Sequence, residues 1–86
     1  MDILDVNVCG LPPPEPMQVI LSALASLPRG AVLKVAHQRQ PYPLYERLLA
    51  NGWLYHSVEK PEQGVDIYIA NALDKAEFFT FLKGHV

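Results

Sequence analysis

Between Val8 and Met17 the chain reads Val-Cys-Gly-Leu-Pro-Pro-Pro-Glu-Pro-Met. Proline holds φ at about −65° and has no amide donor, so neither a central strand nor a helix interior runs through such a stretch. One element must end before it and another must begin within it. Upstream, Ile3 to Val8 alternates, with Leu4, Val6 and Val8 on one face and Ile3, Asp5 and Asn7 on the other. That is the period of a half-buried strand. Gly10 permits a sharp turn. Downstream, Pro14 or Pro16 fits a first helical turn, where no amide donor is needed, and Glu15 favours the positive end of the helix dipole. Met17, Ile20, Leu21, Leu24 and Leu27 then form one apolar stripe opposite Gln18, Ser22 and Ser26, and Pro28 and Gly30 stop the helix.

The remaining segments extend this strand-turn-helix start. Ala31 to His37 is apolar apart from Lys34, as expected of a covered central strand, and the intervening helix makes it parallel to the first. After Gln38-Arg39-Gln40, Pro43 starts a second helix that is expected to turn Leu44, Leu48 and Leu49 inward and to end at Asn51-Gly52. Trp53 to Glu59 and Val65 to Ile69 alternate around Pro61-Glu62-Gln63-Gly64, the turn chemistry of a hairpin. The order β-α-β-α-β-β predicts an α/β (α+β) two-layer sandwich, a mixed four-stranded sheet with two helices on one face. In the tail, Asp74 stands three residues before Glu77 in a capping arrangement, and Phe78, Phe81 and Leu82 share one face of a further, C-terminal helix. Residues 1–70 are expected to form the domain, and residues 71–86 a helical extension of it.

Composition narrows the function classes. The 86 residues are 50% apolar, enough for one core with little surplus stability. The net charge is −2, and the seven basic residues are scattered. A nucleic-acid partner would require a clustered basic face. No apolar run approaches the roughly 20 residues that span a bilayer, so no membrane partner is expected. A lone cysteine forms no internal disulfide, and Met1-Asp2 opens without a basic or apolar leader. These features point to the cytoplasm.

Gly10-Leu11-Pro12-Pro13-Pro14-Glu15-Pro16 resembles the signature of the TusA/SirA-like superfamily, which runs roughly R-G-L-x-C-P-x-P. Gly10, Leu11, Pro14 and Pro16 match, and Glu15 takes the variable position. The cysteine of that pattern, which holds the persulfide in sulfur carriers, falls on Pro13. The resemblance therefore implies the scaffold without sulfur loading at the usual residue. Leu27-Pro28-Arg29-Gly30 and Pro41-Tyr42-Pro43-Leu44-Tyr45 make the chain similar, from about Asp2 to Ala70, to the cysteine-free branch called domain of unknown function 2249. What it implies is a non-enzymatic accessory or binding domain. The alternative is a thiol or sulfur carrier that uses Cys9.

Two groups of residues stand out as candidate sites. Cys9 and His37 each close one of the two parallel strands, at the edge where ligands bind in open α/β arrangements and where helix N-termini attract anions and lower thiol pKa values. One reading is a thiol or anion site of Cys9, His37 and Arg39 with Glu15 and Tyr42 at its rim, serving a small anionic ligand. The other is a buried Cys9 acting as a small hydrophobe beside a strand-ending His37. Cys9, His37, His56 and His85 lack the spacing of a metal site, and no phosphate loop, metalloprotease motif or nucleophile elbow is present. No cofactor and no catalytic residue is assigned, and Glu15 and Glu46 read as solvated helix charges. The second group is aromatic. If the helices cover Leu54, Val58, Val65, Ile67 and Ile69, then Trp53, Tyr55 and Tyr68 lie on the opposite sheet face. With Phe79 they form a candidate protein-partner surface, covered by the tail within a monomer or across a weak homodimer.

Overall fold

The alternating and apolar segments become strands and the proline-opened stripes become helices. A computed structural model describes Met1–Val86. The elements run β1 (Asp2–Asn7), α1 (Glu15–Ala25), β2 (Ala31–His37), α2 (Tyr42–Ala50), β3 (Trp53–Lys60), β4 (Gly64–Asn71), a 3-10 turn at Ala72–Asp74 and α3 (Lys75–His85). The sheet order is β1-β2-β4-β3. β1 and β2 are parallel because α1 connects them, whereas β4 runs antiparallel to both β2 and β3. This is the mixed four-stranded α+β arrangement expected from the element order.

The central strands β2 and β4 carry the longest apolar runs and are buried along most of their length. On one face, Ile20 and Leu24 of α1 and Leu44, Tyr45 and Leu48 of α2 close over Leu33, Val35, Val65, Ile67 and Ile69. Each fully buried aliphatic side chain here contributes about 1.5–3 kcal/mol relative to an exposed one. The inward face of α2 differs from the expectation in one residue. Leu49 is 60% exposed, and Tyr45 takes the inward place. At 3.6 residues per turn, positions 44, 45 and 48 share the sheet-facing side and 49 falls on its flank. The Tyr45 ring then stacks on Tyr55 of β3 at 4.1 Å.

β3 also corrects the expectation. Tyr55 pairs with Ile69, Ser57 with Ile67 and Lys60 with Gly64. Trp53 and Tyr55 therefore pack beneath the helices, while Leu54 and Val58 lie on the far face with Tyr68 and Ala70. The cause is the hairpin loop. Gly64 belongs to the ladder, which leaves three loop residues, with Glu62 at φ 66° and a 2.9 Å bond from the Gln63 N–H to the Lys60 carbonyl. A four-residue loop would shift the register by one and exchange the two faces of β3.

The far face is covered at one end by the chain's own tail. Phe78 and Phe81 of α3 pack on Val32, Tyr68 and Ala70, with Met1, Leu54, Val58 and Leu82 around them. Asp74 does not cap α3 through its side chain. Its carboxylate instead accepts from Arg29 Nε at 2.8 Å and from the Gly30 N–H at 2.9 Å. That carboxylate is buried and fastens the start of α3 to the α1–β2 loop. The side chain of Asn71 caps the preceding turn by accepting from the Leu73 N–H at 2.9 Å.

Candidate functional site

Parallel pairing brings the ends of β1 and β2 to one edge of the sheet, where the starts of α1 and α2 also meet. Val8 is fully buried, and its N–H donates to the Ala36 carbonyl at 2.9 Å. That bond holds the proline turn against β2. Gly10 donates its N–H to the Gln38 side-chain carbonyl at 3.1 Å, which joins the turn to the loop after β2. Between them lies a cleft of about 320 Å³. Leu11, Pro13, Pro16 and Met17 form one wall, and Pro41, Pro43 and Leu44 form the other. Proline side chains have almost no rotamer entropy to lose, so such walls are ordered before anything binds.

The polar part of the cleft comes from the end of β2. His37 is 7% exposed, on the strand face beneath the helices. Its Nδ1 accepts from the Arg39 N–H at 3.3 Å, so the neutral ring carries its proton on Nε2. Burial, reinforced by the nearby Arg39 charge, pushes the His37 pKa below the usual histidine range. The ring is therefore neutral at pH 7. Gln40 is held between two elements: its carbonyl accepts from the Tyr45 hydroxyl, and its Nε2 donates to Glu59 at 3.3 Å. Burial raises the Tyr45 pKa, so this phenol keeps its proton. Behind Gln40 opens a second, more polar cleft of about 790 Å³, bordered by Arg39, Glu59, Lys60 and Glu62.

The structure brings together two of the five residues of the first candidate group. His37 and Arg39 line the proline-walled cleft; Cys9, Glu15 and Tyr42 do not. Cys9 is exposed, and its N–H donates to the Asn7 side chain at 2.9 Å. Glu15 is exposed at the start of α1, and Tyr42 sits 68% exposed with its ring edge-on to Tyr45 at 6.0 Å.

The aromatic group is not one surface. Trp53 and Tyr55 are half-buried under the helices, and Tyr68 is buried on the other face under α3. Phe79 is 47% exposed on α3, with Lys75 Nζ 5.7 Å from its ring centre. The one-residue register difference in β3 separates them. Sequence reasoning also missed Asp66, a buried carboxylate 2.5 Å from Lys60 and 4.0 Å from Lys34. Its signal was an acid inside the apolar run Val65-Asp66-Ile67. The proline-walled cleft was missed for a different reason: Pro16 and Pro43 read as helix starts, Pro13 as the position of the absent sulfur-loading cysteine, and Pro41 only as part of a family motif. Two proline-opened helices entering from the same edge of a sheet are the pattern that would have revealed it.

No three histidine, cysteine, aspartate or glutamate side chains converge on a common point. No helix is long and apolar enough to cross a membrane. The fold and the cleft together define a small α+β domain with a ligand-sized recess at the ends of its parallel strands. The chain belongs to the family described as Uncharacterized conserved protein (DUF2249), whose model matches residues 5–71. The match takes in α1, α2, the β3–β4 hairpin and both walls of the cleft, and stops before α3. No curated protein and no solved structure matches the chain.

Proposed function

We propose that this chain is a non-enzymatic binding domain that takes a small anionic ligand in the proline-walled cleft. The observation that carries the reading is the meeting, in one recess, of rigid apolar walls with the buried His37 and the Arg39 guanidinium. The volume of about 320 Å³ lies at the lower end of the range of small-molecule sites. Its position outside the carboxyl ends of parallel strands is where ligands collect in open α/β sheets. The starts of α1 and α2 at the same edge favour negative charge.

The resemblance of Gly10-Leu11-Pro12-Pro13-Pro14-Glu15-Pro16 to the TusA/SirA-like signature is compatible with the same reading. The position that would load sulfur is Pro13, which forms part of the wall and has no nucleophile. A carrier role through Cys9 is a second reading, favoured by the exposure of its thiol.

Titration of ¹⁵N-labelled protein with benzoate and with benzamide tests the first reading. Benzoate is expected to move the amide resonances of Leu11, Met17, Gln38 and Arg39, and to move them more than benzamide does. Shifts scattered over the surface, or none, would remove the cleft as the site. Incubation with a persulfide donor followed by mass mapping tests the second, and an added sulfur on Cys9 would establish it.

A further inference from the structure

The charge and hydrogen-bonding inventory of the cleft narrows the ligand further, on the footing that the cleft is a binding site. Only one ionised side chain lines it, Arg39, because His37 is neutral and the other lining residues carry no charge. A monoanion is balanced by that single cation; a phosphate dianion is not. The remaining polar groups of the wall are largely engaged within the protein. The Gln38 carbonyl accepts from Gly10, and both ends of the Gln40 amide are bonded, to Tyr45 and to Glu59.

His37 is different. Nδ1 takes its one hydrogen bond, and Nε2 has no partner in the protein. No buried side-chain nitrogen or oxygen is left without a partner, so Nε2 reaches open space. Among the recesses of the molecule, His37 lines only the proline-walled cleft. The Nε2–H is thus a neutral donor without a protein partner, on a side chain more than nine-tenths buried that lines the recess beside Arg39. Its hydrogen-bonding position is open to the recess, where a ligand acceptor can take the place of water.

We infer that the ligand is an apolar monocarboxylate, whose carboxylate accepts from His37 Nε2–H and pairs with Arg39 while its hydrocarbon body lies against Leu11, Met17 and Ile20. One oxygen accepts from the histidine and the other faces the guanidinium. Hydrogen bonds to charged groups are the strong ones, so each of the two contacts is worth about tenfold in affinity.

The test compares hexanoate, hexanamide and hexyl phosphate by ¹⁵N chemical-shift titration of the full chain and of two variants, His37→Phe and Arg39→Gln. Hexanoate is expected to bind about tenfold more tightly than hexanamide and more tightly than hexyl phosphate. His37→Phe is expected to lower hexanoate affinity about tenfold with the rest of the amide spectrum retained. Should that buried substitution disturb folding, the exposed Arg39→Gln reads the same site, and is expected to remove the preference for the acid over the amide. Equal affinity for acid and amide, preference for the phosphate, or Arg39→Gln binding hexanoate unchanged would overturn the monocarboxylate assignment while leaving a binding cleft. Absence of shifts at the cleft with all three probes would overturn the binding reading itself.

Discussion

The backbone carbonyl of His37 occupies the space that a side chain on Gly64 would need. Gly64 opens β4 with φ at 90°, and its neighbour Val65 pairs with His37 in the ladder. A Cβ there would also sit 3.0 Å from Gln38 Cα. The obstacle is backbone and cannot swing aside. The close approach of these two chain segments is therefore part of what sets the His37 ring in the cleft.

Gly64→Ala is expected to destabilise the fold by at least the roughly 1–3 kcal/mol of a strained backbone residue, with the clash added. Gly10 has a similar φ of 84° but open space around it, so Gly10→Ala is expected to cost about 1–2 kcal/mol. Urea unfolding of the two variants separates strain alone from strain plus collision. A Gly64→Ala protein no less stable than Gly10→Ala would contradict the packing at the end of β2.

Leu24→Ala removes a buried side chain from between α1 and the sheet and is expected to cost about 2–5 kcal/mol. Leu49→Ala, on the exposed flank of α2, is expected to stay within about 0.5 kcal/mol of the parent. Comparable losses at the two positions would mean that α2 is rotated from the orientation described.

The tail covers one end of the far sheet face, with Tyr68, within its own chain, and the full chain is expected to sediment as a monomer. Truncation after Asn71 uncovers Val32, Tyr68 and Ala70 and is expected to lower stability and to bind a hydrophobic dye. Phe78→Ala is expected to cost about 3–5 kcal/mol, and Phe79→Ala little. A dimer that the truncation turns monomeric would show instead that α3 bridges two copies.

Acid should weaken the fold in two stages. His37 has its pKa lowered from 6.5 by burial and then by Arg39, so the unfolded chain takes up this proton first. Its contribution is complete above about pH 6.5 and is lost as the pH falls below that value. Asp74 is lowered from 3.8, first by the hydrogen bond from Arg29 and then by that from the Gly30 N–H, and its contribution is lost below about pH 3.8. Denaturant midpoints measured from pH 7.5 to 3 are expected to fall in both windows. His37→Phe should flatten the upper step and Asp74→Asn the lower one.

Element order and strand direction were legible because proline, glycine and apolar period speak to local geometry, and the parallel pairing of β1 and β2 follows from the helix between them. The faces of β3 were not. They depend on whether Gly64 is counted in the loop or in the ladder, and a difference of one residue transfers Trp53 and Tyr55 from one layer to the other. Tyr45 was passed over for Leu49 because leucine is the more apolar residue, although helical angle places position 45 inward. Asp74 looked like a cap by spacing, but its carboxylate goes to Arg29 and Gly30, 45 and 44 residues away in the chain. At the candidate site, His37 and Arg39 were legible from their place at the end of β2. The displacement of Cys9 was not, because its side-chain direction depends on the turn that follows β1.

The order of the sheet leaves β1 and β3 as its two open edges, each with main-chain groups that no neighbouring strand takes up. Such edges invite strands of another copy, and β1 adds the half-exposed Ile3 and Leu4 to the invitation. Alternation puts Asp2 on one face of that strand and Asp5 on the other, and β3 ends in the exposed Glu59 and Lys60. A second copy lying along β1 in parallel register would bring Asp2 against Asp2 on one face of the joint and Asp5 against Asp5 on the other. The charged border thus works against fibrillar stacking of a domain whose central strands, if uncovered, would be well suited to it.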